Sequence, residues 1–224
     1  MRILALEFSS AQRSVAVVQP KAEGLPRVVA EVVETGGIGT KPLAMLDAAL
    51  GEAKLEREQI EVLVVGLGPG SYTGIRTTIA LAQGWQLAAG IKLLGISSAE
   101  CIAAEAEAEG MIGRVAIVID AQRDEYYLGS YELSPTGRRE LEELRLASLT
   151  EIAALQKSGT QVVGPDVTTC FPGSRQLVPR AGRLGCLALG RDDFVPGERL
   201  EPIYLRQTTF VKAPPPKIFP QESR

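Results

Sequence analysis

The stretch ILALEFSSAQRSVAVV, Ile3 to Val18, decides the fold. It reads as an apolar strand ending in a carboxylate, Glu7, then a polar turn, then a second apolar strand from Ser14. Half a chain later AIVIDAQRDEYYLGSY, Ala116 to Tyr131, repeats the order: strand, terminal carboxylate Asp120, turn, returning strand. Two copies of one hairpin, each followed by alternating helices and strands, predict two similar α/β lobes, the second less complete. The first lobe is expected over residues 1–109 and the second over 110–211. The segment 212–224, KAPPPKIFPQESR, is Pro-rich and reads as a tail or docking strand.

Within that division, further strands are expected at Val28–Val33, Val62–Val65, Leu93–Ile96, Arg139–Ala147 and Gln161–Gly164. A helix over 40–53 has Pro42 near its first turn, and one over 73–89 is stopped by Gly90. Ser97 with Glu100 forms a capping box for an Ala-rich helix reaching Glu109. Ser148 with Glu151 starts another, and a last helix lies near 180–189.

Composition narrows the function. The chain has 224 residues, 45% hydrophobic and 23% charged, with mean hydropathy +0.08, so it is a globular chain rather than a disordered one. The apolar runs are too short to span a membrane, and the N-terminus has no secretory pattern, so the cytoplasm is expected. Three scattered cysteines suit a reducing compartment and form neither a disulfide framework nor a zinc site. Net charge is −3 and the pI about 5.3, the wrong balance for a chain that grips nucleic acid by itself. There is no histidine at all. Ser-His-Asp and Cys-His catalysis, HExxH zinc sites and imidazole proton shuttles are thereby excluded.

Three features remain as candidates. GLGPGSYTGIR, Gly66 to Arg76, sits where a strand turns into a helix, and a helix N-terminus attracts anions. It lacks the Lys of a Walker A loop and the spacing of a Rossmann fingerprint, and no histidine exists to activate Ser71. Its glycines read first as a tight turn with close helix packing, and second as a phosphate cradle through Gly68 and Gly70. Glu7 and Asp120, at the ends of the two lobes' first strands, are the second candidate. Carboxylates so placed can hold Mg²⁺ and phosphates across a cleft. Glu7 is longer than the usual aspartate, and no glycine follows it. The third is a surface: the helices over 40–53 and 73–89 are apolar on more than one side, which means deep burial or a shared interface.

These residues resemble a known family. RILALEFSS (Arg2–Ser10), GLGPGSYTGIR, AQGWQLAAGIKLLGISS (Ala82–Ser98), VIDAQRDEYYLGSY (Val118–Tyr131) and PIYLR (Pro202–Arg206) are similar to the signatures of the TsaB (YeaZ) family. That family serves bacterial synthesis of threonylcarbamoyladenosine next to the tRNA anticodon. The resemblance implies an actin-like α/β fold of two ribonuclease-H-like lobes. It also implies a non-catalytic subunit that binds the related transferase TsaD, joined by the ATPase TsaE, and that forms a homodimer when alone. tRNA would be met only through the complex. The interface implied is Leu43, Leu46, Leu50, Tyr72, Ile75, Ile79, Ala82 and Trp85. No metal or cofactor of its own is implied, and ATP with Mg²⁺ would enter only within the complex. Glu7-Phe8 stands where the family has Asp-Thr, and Gln122-Arg123-Asp124 departs from its R-x-G turn. The rival reading is an ATP-dependent phosphotransferase or ATPase built on Glu7, Asp120 and the glycine-rich turn.

Overall fold

A computed structural model describes residues 1–21, 24–36 and 39–205. The first half of the chain runs β1 (Ile3–Glu7), β2 (Gln12–Pro20), β3 (Pro26–Thr35), α1 (Pro42–Ala53), β4 (Val62–Gly66), α2 (Tyr72–Ala89), β5 (Lys92–Ile96) and α3 (Ser98–Ala108). The second runs β6 (Gly113–Asp120), β7 (Glu125–Ser134), β8 (Gly137–Ser148), α4 (Leu149–Lys157), β9 (Gln161–Gly164), β10 (Arg175–Gln176) and α5 (Ala181–Ala188). The sheets are ordered β3-β2-β1-β4-β5 and β8-β7-β6-β9-β10. In each, the opening three strands are antiparallel and the later ones join in parallel. The hairpin repeat is thus a repeat of topology, the two-lobed actin-like α/β fold, with Glu7 and Asp120 at matching strand ends. Where the first lobe has α2, the second has one 3₁₀ turn, Val167–Thr169, which makes it the smaller.

Period-two alternation along the central strands assigns the layers. Leu4 and Leu6 of β1 and Leu63 and Val65 of β4 pack under α1 and α2 with Met45, Leu46, Leu50, Ile75 and Ile79. The alternate residues Ile3, Ala5, Val62 and Val64 face Ala181, Leu184 and Ala188 of α5. In the second sheet Val115, Ile117 and Ile119 meet α3 through Ala99, Ile102, Ala103 and Ala106. Ala116 and Val118 meet Ile152 of α4 and Phe171. Two helices are therefore exchanged: α5, from the second half of the chain, covers the first sheet, and α3, from the first half, covers the second. Polar clasps hold the exchange. Ser14 Oγ accepts the Ala181 N–H at 2.8 Å, Glu31 accepts the Gly182 N–H at 2.9 Å, and Arg183 pairs with Glu105 at 3.5 Å.

Several ends differ from expectation. The first helix begins at Pro42 rather than residue 40, because Lys41 is still non-helical and Pro fixes the φ of the first turn. Ser97 caps α3 by accepting the Ala99 N–H, but the reciprocal half of the capping box is absent. The Glu100 carboxylate turns outward to Arg138 and Arg191 instead. The tail 212–224 lies outside the described residues, as does Arg206 of the PIYLR stretch. Among the described residues no helix is long and apolar enough to cross a membrane.

Candidate functional site

The glycine-rich turn connects β4 to α2, and its surroundings explain its glycines one by one. A Cβ on Gly66 would lie 2.0 Å from a Glu7 carboxylate oxygen, one on Gly70 2.1 Å from the Ser9 carbonyl, and one on Gly74 2.0 Å from the Phe8 carbonyl. Gly70, at φ +144, also needs a conformation that side chains disfavour. Three of the turn's N–H groups bond to the chain itself. Gly68 N–H donates to Ser98 Oγ, Ser71 N–H to the Ser9 carbonyl, and Gly74 N–H to the capping Ser71 Oγ. What this turn cradles is the protein's own Phe8–Ser9 backbone.

Glu7 lies at the centre of that packing. It is fully buried, accepting the Ser9 N–H at 2.8 Å and the Ser98 hydroxyl at 2.9 Å. Burial pushes its carboxyl above the ordinary value, against the opposing pull of the Ser9 and Ser98 hydrogen bonds. A carboxyl that holds its proton more tightly when folded adds stability in full below its unfolded pKa. That contribution is lost as pH rises through the folded value. Glu7→Gln should therefore gain on the parent as pH is raised from 4 to 8. Paired thermal melts across that range test this, and a Tm difference that stays flat would contradict the burial of a proton at Glu7.

The gap between the lobes, about 600 Å³, is lined by Asp120 and Gly70 with Ser9, Ser10, Arg13, Ser71, Tyr72 and Asp166. The Asp120 carboxylate accepts the Gln122 N–H at 2.7 Å, within a turn whose residues Gln122, Arg123 and Asp124 are all left-handed. Two of the four nucleotide candidates, Glu7 and Gly68, do not reach this gap. They sit beneath it, joined to each other through Ser98 Oγ. A buried carboxylate beneath a turn packed on Phe8 and Ser9 does not fit a phosphate. Among the described residues no group of three or more Cys, Asp or Glu could hold a metal.

The helical face requires the larger correction. Leu46, Leu50, Ile75, Ile79 and Ala82 are core residues, each 6% exposed or less, and cannot form a surface. Trp85 is half-buried, and only Leu43 and Tyr72 of the eight are open, at 56% and 57%. The face that α1 and α2 do present consists of Leu43, Ala80, Gly84, Leu87 and Ala88, with Leu87 90% exposed. Between the helices runs an apolar groove of about 460 Å³, its walls including Leu43, Leu81, Gly84, Trp85 and Ala88, with Arg57 and Glu58 beside it. At the start of α2, Tyr72 stacks on Tyr204 with centroids 5.7 Å apart, and the Arg76 guanidinium lies 4.0 Å from the Tyr72 ring centre. Sequence reasoning missed Leu87, Arg76 and Tyr204. The signal was available: Ala80, Gly84 and Leu87 follow Arg76 at helical spacing, so they share the side of a charged residue.

Comparison with known proteins now bears on this face. The family described as TsaD, tRNA N6-adenosine threonylcarbamoyltransferase, matches residues 41–169, more than half of the chain. The chain belongs to this family. Within it, the chain is on the TsaB/YeaZ branch. It is 28% identical to the tRNA threonylcarbamoyladenosine biosynthesis protein TsaB of Escherichia coli, over 97% of this chain and all of that protein. Two solved structures from Pseudomonas aeruginosa superpose on it. One, described as similar to peptidase YeaZ, gives a TM-score of 0.76 at 26% identity over 92% of this chain and 99% of the other. The second, YeaZ itself, gives 0.74 at 27% over 91% and 99%. The stretches carrying the TsaB likeness now have physical places. Gly66–Arg76 is the turn that seats α2 against Phe8 and Ser9. Pro202–Leu205 returns to the first sheet, where the Ile203 N–H donates to the Leu67 carbonyl at 2.8 Å.

Proposed function

We propose that this chain is a non-catalytic subunit of the machinery that makes threonylcarbamoyladenosine in tRNA, and that it works in the cytoplasm by binding TsaD through the outer face of α1 and α2. One observation carries the reading: Leu43, Ala80, Gly84 and Ala88 line an exposed apolar groove, and Leu87 stands exposed on the same side of α2 as Ala80 and Gly84, on a lobe whose interior is already filled. A face of that kind, small residues flanked by two exposed leucines, suits close helix-to-helix approach by a partner. The relatives named for threonylcarbamoyladenosine biosynthesis support the pathway. Their kinship with a transferase family supports TsaD as the partner, with TsaE joining the assembly. In the absence of TsaD the same face pairs two copies of this chain, and tRNA is met only through the complex. The subunit carries no metal or nucleotide of its own. By binding one conformation of TsaD better than another it raises the population of that conformation.

The experiment is a binding titration of TsaD with Leu43→Glu/Leu87→Glu. Both positions are exposed, so the melting temperature should stay within about 2 °C of the parent while affinity falls at least ~100-fold, as expected when two apolar anchors of an interface become charged. Unchanged affinity would refute this face as the interface.

A further inference from the structure

We infer that Arg76 is the charged anchor of the α1–α2 face and that TsaD meets it with an aspartate or glutamate side chain. The inference rests on the reading of that face as the TsaD interface and adds the chemistry of one contact. Arg76 is exposed one turn before Ala80, so it stands at the head of the row Ala80, Gly84 and Leu87. It is the single charged residue of α2.

The side chain is open to water yet held in place. Its guanidinium lies 4.0 Å from the centre of the Tyr72 ring and 5.8 Å from that of Tyr204, and its Nε–H donates to the Tyr204 hydroxyl at 3.4 Å. The two rings stack on each other with their planes 25° apart. A long, rotamer-rich side chain is thus ordered before any partner arrives, which removes part of the entropy cost of docking. The clamp takes up none of the charge. Elsewhere arginines are matched by acids, Arg57 by Asp47 and Arg138 by Glu107, but among the described residues the ionisable groups acting on Arg76 are the two tyrosines. The place is also a poor one for a cation. The side chain leans back over the first turn of α2, where the helix dipole is positive and no acid stands. A guanidinium ordered, unpaired and set against the helix field calls for an anion from outside. With Nε committed to Tyr204, its two terminal amino groups fit an oxyanion in two parallel hydrogen bonds. The surroundings favour a carboxylate over a phosphate. Nucleic acid is gripped by several cations at once, whereas α1 carries Asp47 and Glu52 and neither Lys nor Arg. An arginine beside small apolar residues is instead a pattern of protein interfaces.

Titrations of TsaD with the full-length chain test this, using the parent, Arg76→Gln, Arg76→Glu and Leu43→Glu/Leu87→Glu. All of these positions are exposed, so each variant should melt within about 2 °C of the parent. Parent affinity should fall as salt is raised, and Arg76→Gln should bind at least ~10-fold more weakly at low salt with a shallower salt dependence. Arg76→Glu should lose more, about 100-fold, because it sets like charges face to face. Among single Asp→Lys and Glu→Lys replacements on the TsaD surface, one should restore Arg76→Glu to within roughly threefold of the parent while weakening the parent chain itself. If Leu43→Glu/Leu87→Glu loses TsaD and Arg76→Glu binds like the parent, the face stands and this inference fails. Parental affinity in both removes the face and the inference together. A loss at Arg76→Glu that none of the replacements rescues overturns the carboxylate. So does an Arg76→Glu chain that keeps TsaD but costs the assembled complex its tRNA, since the anion would then be a phosphate.

Discussion

Gly74→Ala will destabilise the chain by about 3 kcal/mol or more, although alanine is the better helix former. Gly74 lies in the first turn of α2, and the added methyl would have to occupy a point 2.0 Å from the Phe8 carbonyl oxygen. That oxygen belongs to a backbone fixed by the buried Glu7, so it has nowhere to go, and α2 must lift away from the turn. Gly84 on the same helix gives the control. Nothing lies within 4 Å of where its Cβ would be, so Gly84→Ala gains helix propensity without a clash and should stabilise by roughly 0.5–1 kcal/mol. For a chain of this size the first change lowers Tm by roughly 6–12 °C and the second raises it by a few degrees. Thermal melts of the two variants decide it. If both raise Tm, propensity governs Gly74 and the close approach to Phe8 is not there.

Leu46→Glu will leave the chain unfolded or close to it. Leu46 is 1% exposed in the cluster beneath α1 and α2. Replacing it forfeits about 2–3 kcal/mol of apolar burial and sets an ionisable group among apolar core side chains. The combined cost, on the order of 5 kcal/mol or more, is comparable to the whole stability of an ordinary domain. Leu43→Glu, three residues earlier on the same helix, should change Tm by no more than about 2 °C, because its side chain is open to water. The contrast matters for any binding experiment. Loss of TsaD binding by Leu46→Glu would report unfolding, whereas loss by Leu43→Glu would report the surface. A folded Leu46→Glu chain with parental Tm would contradict the core assignment.

The fold was legible because its signals are local and agree with one another. Apolar runs end at Glu7 and Asp120, Ser148 stands three residues before Glu151, Gly90 stops α2, and the two halves share one hairpin pattern. The surface was less legible. On α2 nearly every position is apolar or small, so no single moment points to the sheet, and the larger side chains, Ile75 and Ile79, invite assignment to a partner when in fact they fill the core. Position around the helix decided the matter: Ile75, Ile79 and Ala82 face the sheet, and Ala80, Gly84 and Leu87 lie outside. Glu7 was illegible for another reason. Its neighbour across the parallel ladder is Gly66, as the pairing of Leu6 with Val65 requires, and only that register makes room for a buried carboxylate. Spacing along a chain does not reveal the register between strands. The exchange of α3 and α5 was equally hidden, since each helix's apolar stripe suits either sheet.

That exchange governs how the molecule can be made. When residues 1–109 have left the ribosome, every strand of the first sheet exists, yet the wall that shuts Ile3, Ala5, Val62 and Val64 from water has still to be synthesised. The N-terminal half must wait, clad on one side only, until Ala181–Ala188 arrives, and α3 stays bare until β6 and β7 are in place. Lobe-by-lobe folding during translation, the usual course for chains built of successive units, would leave that face of the first sheet uncovered until α5 is made.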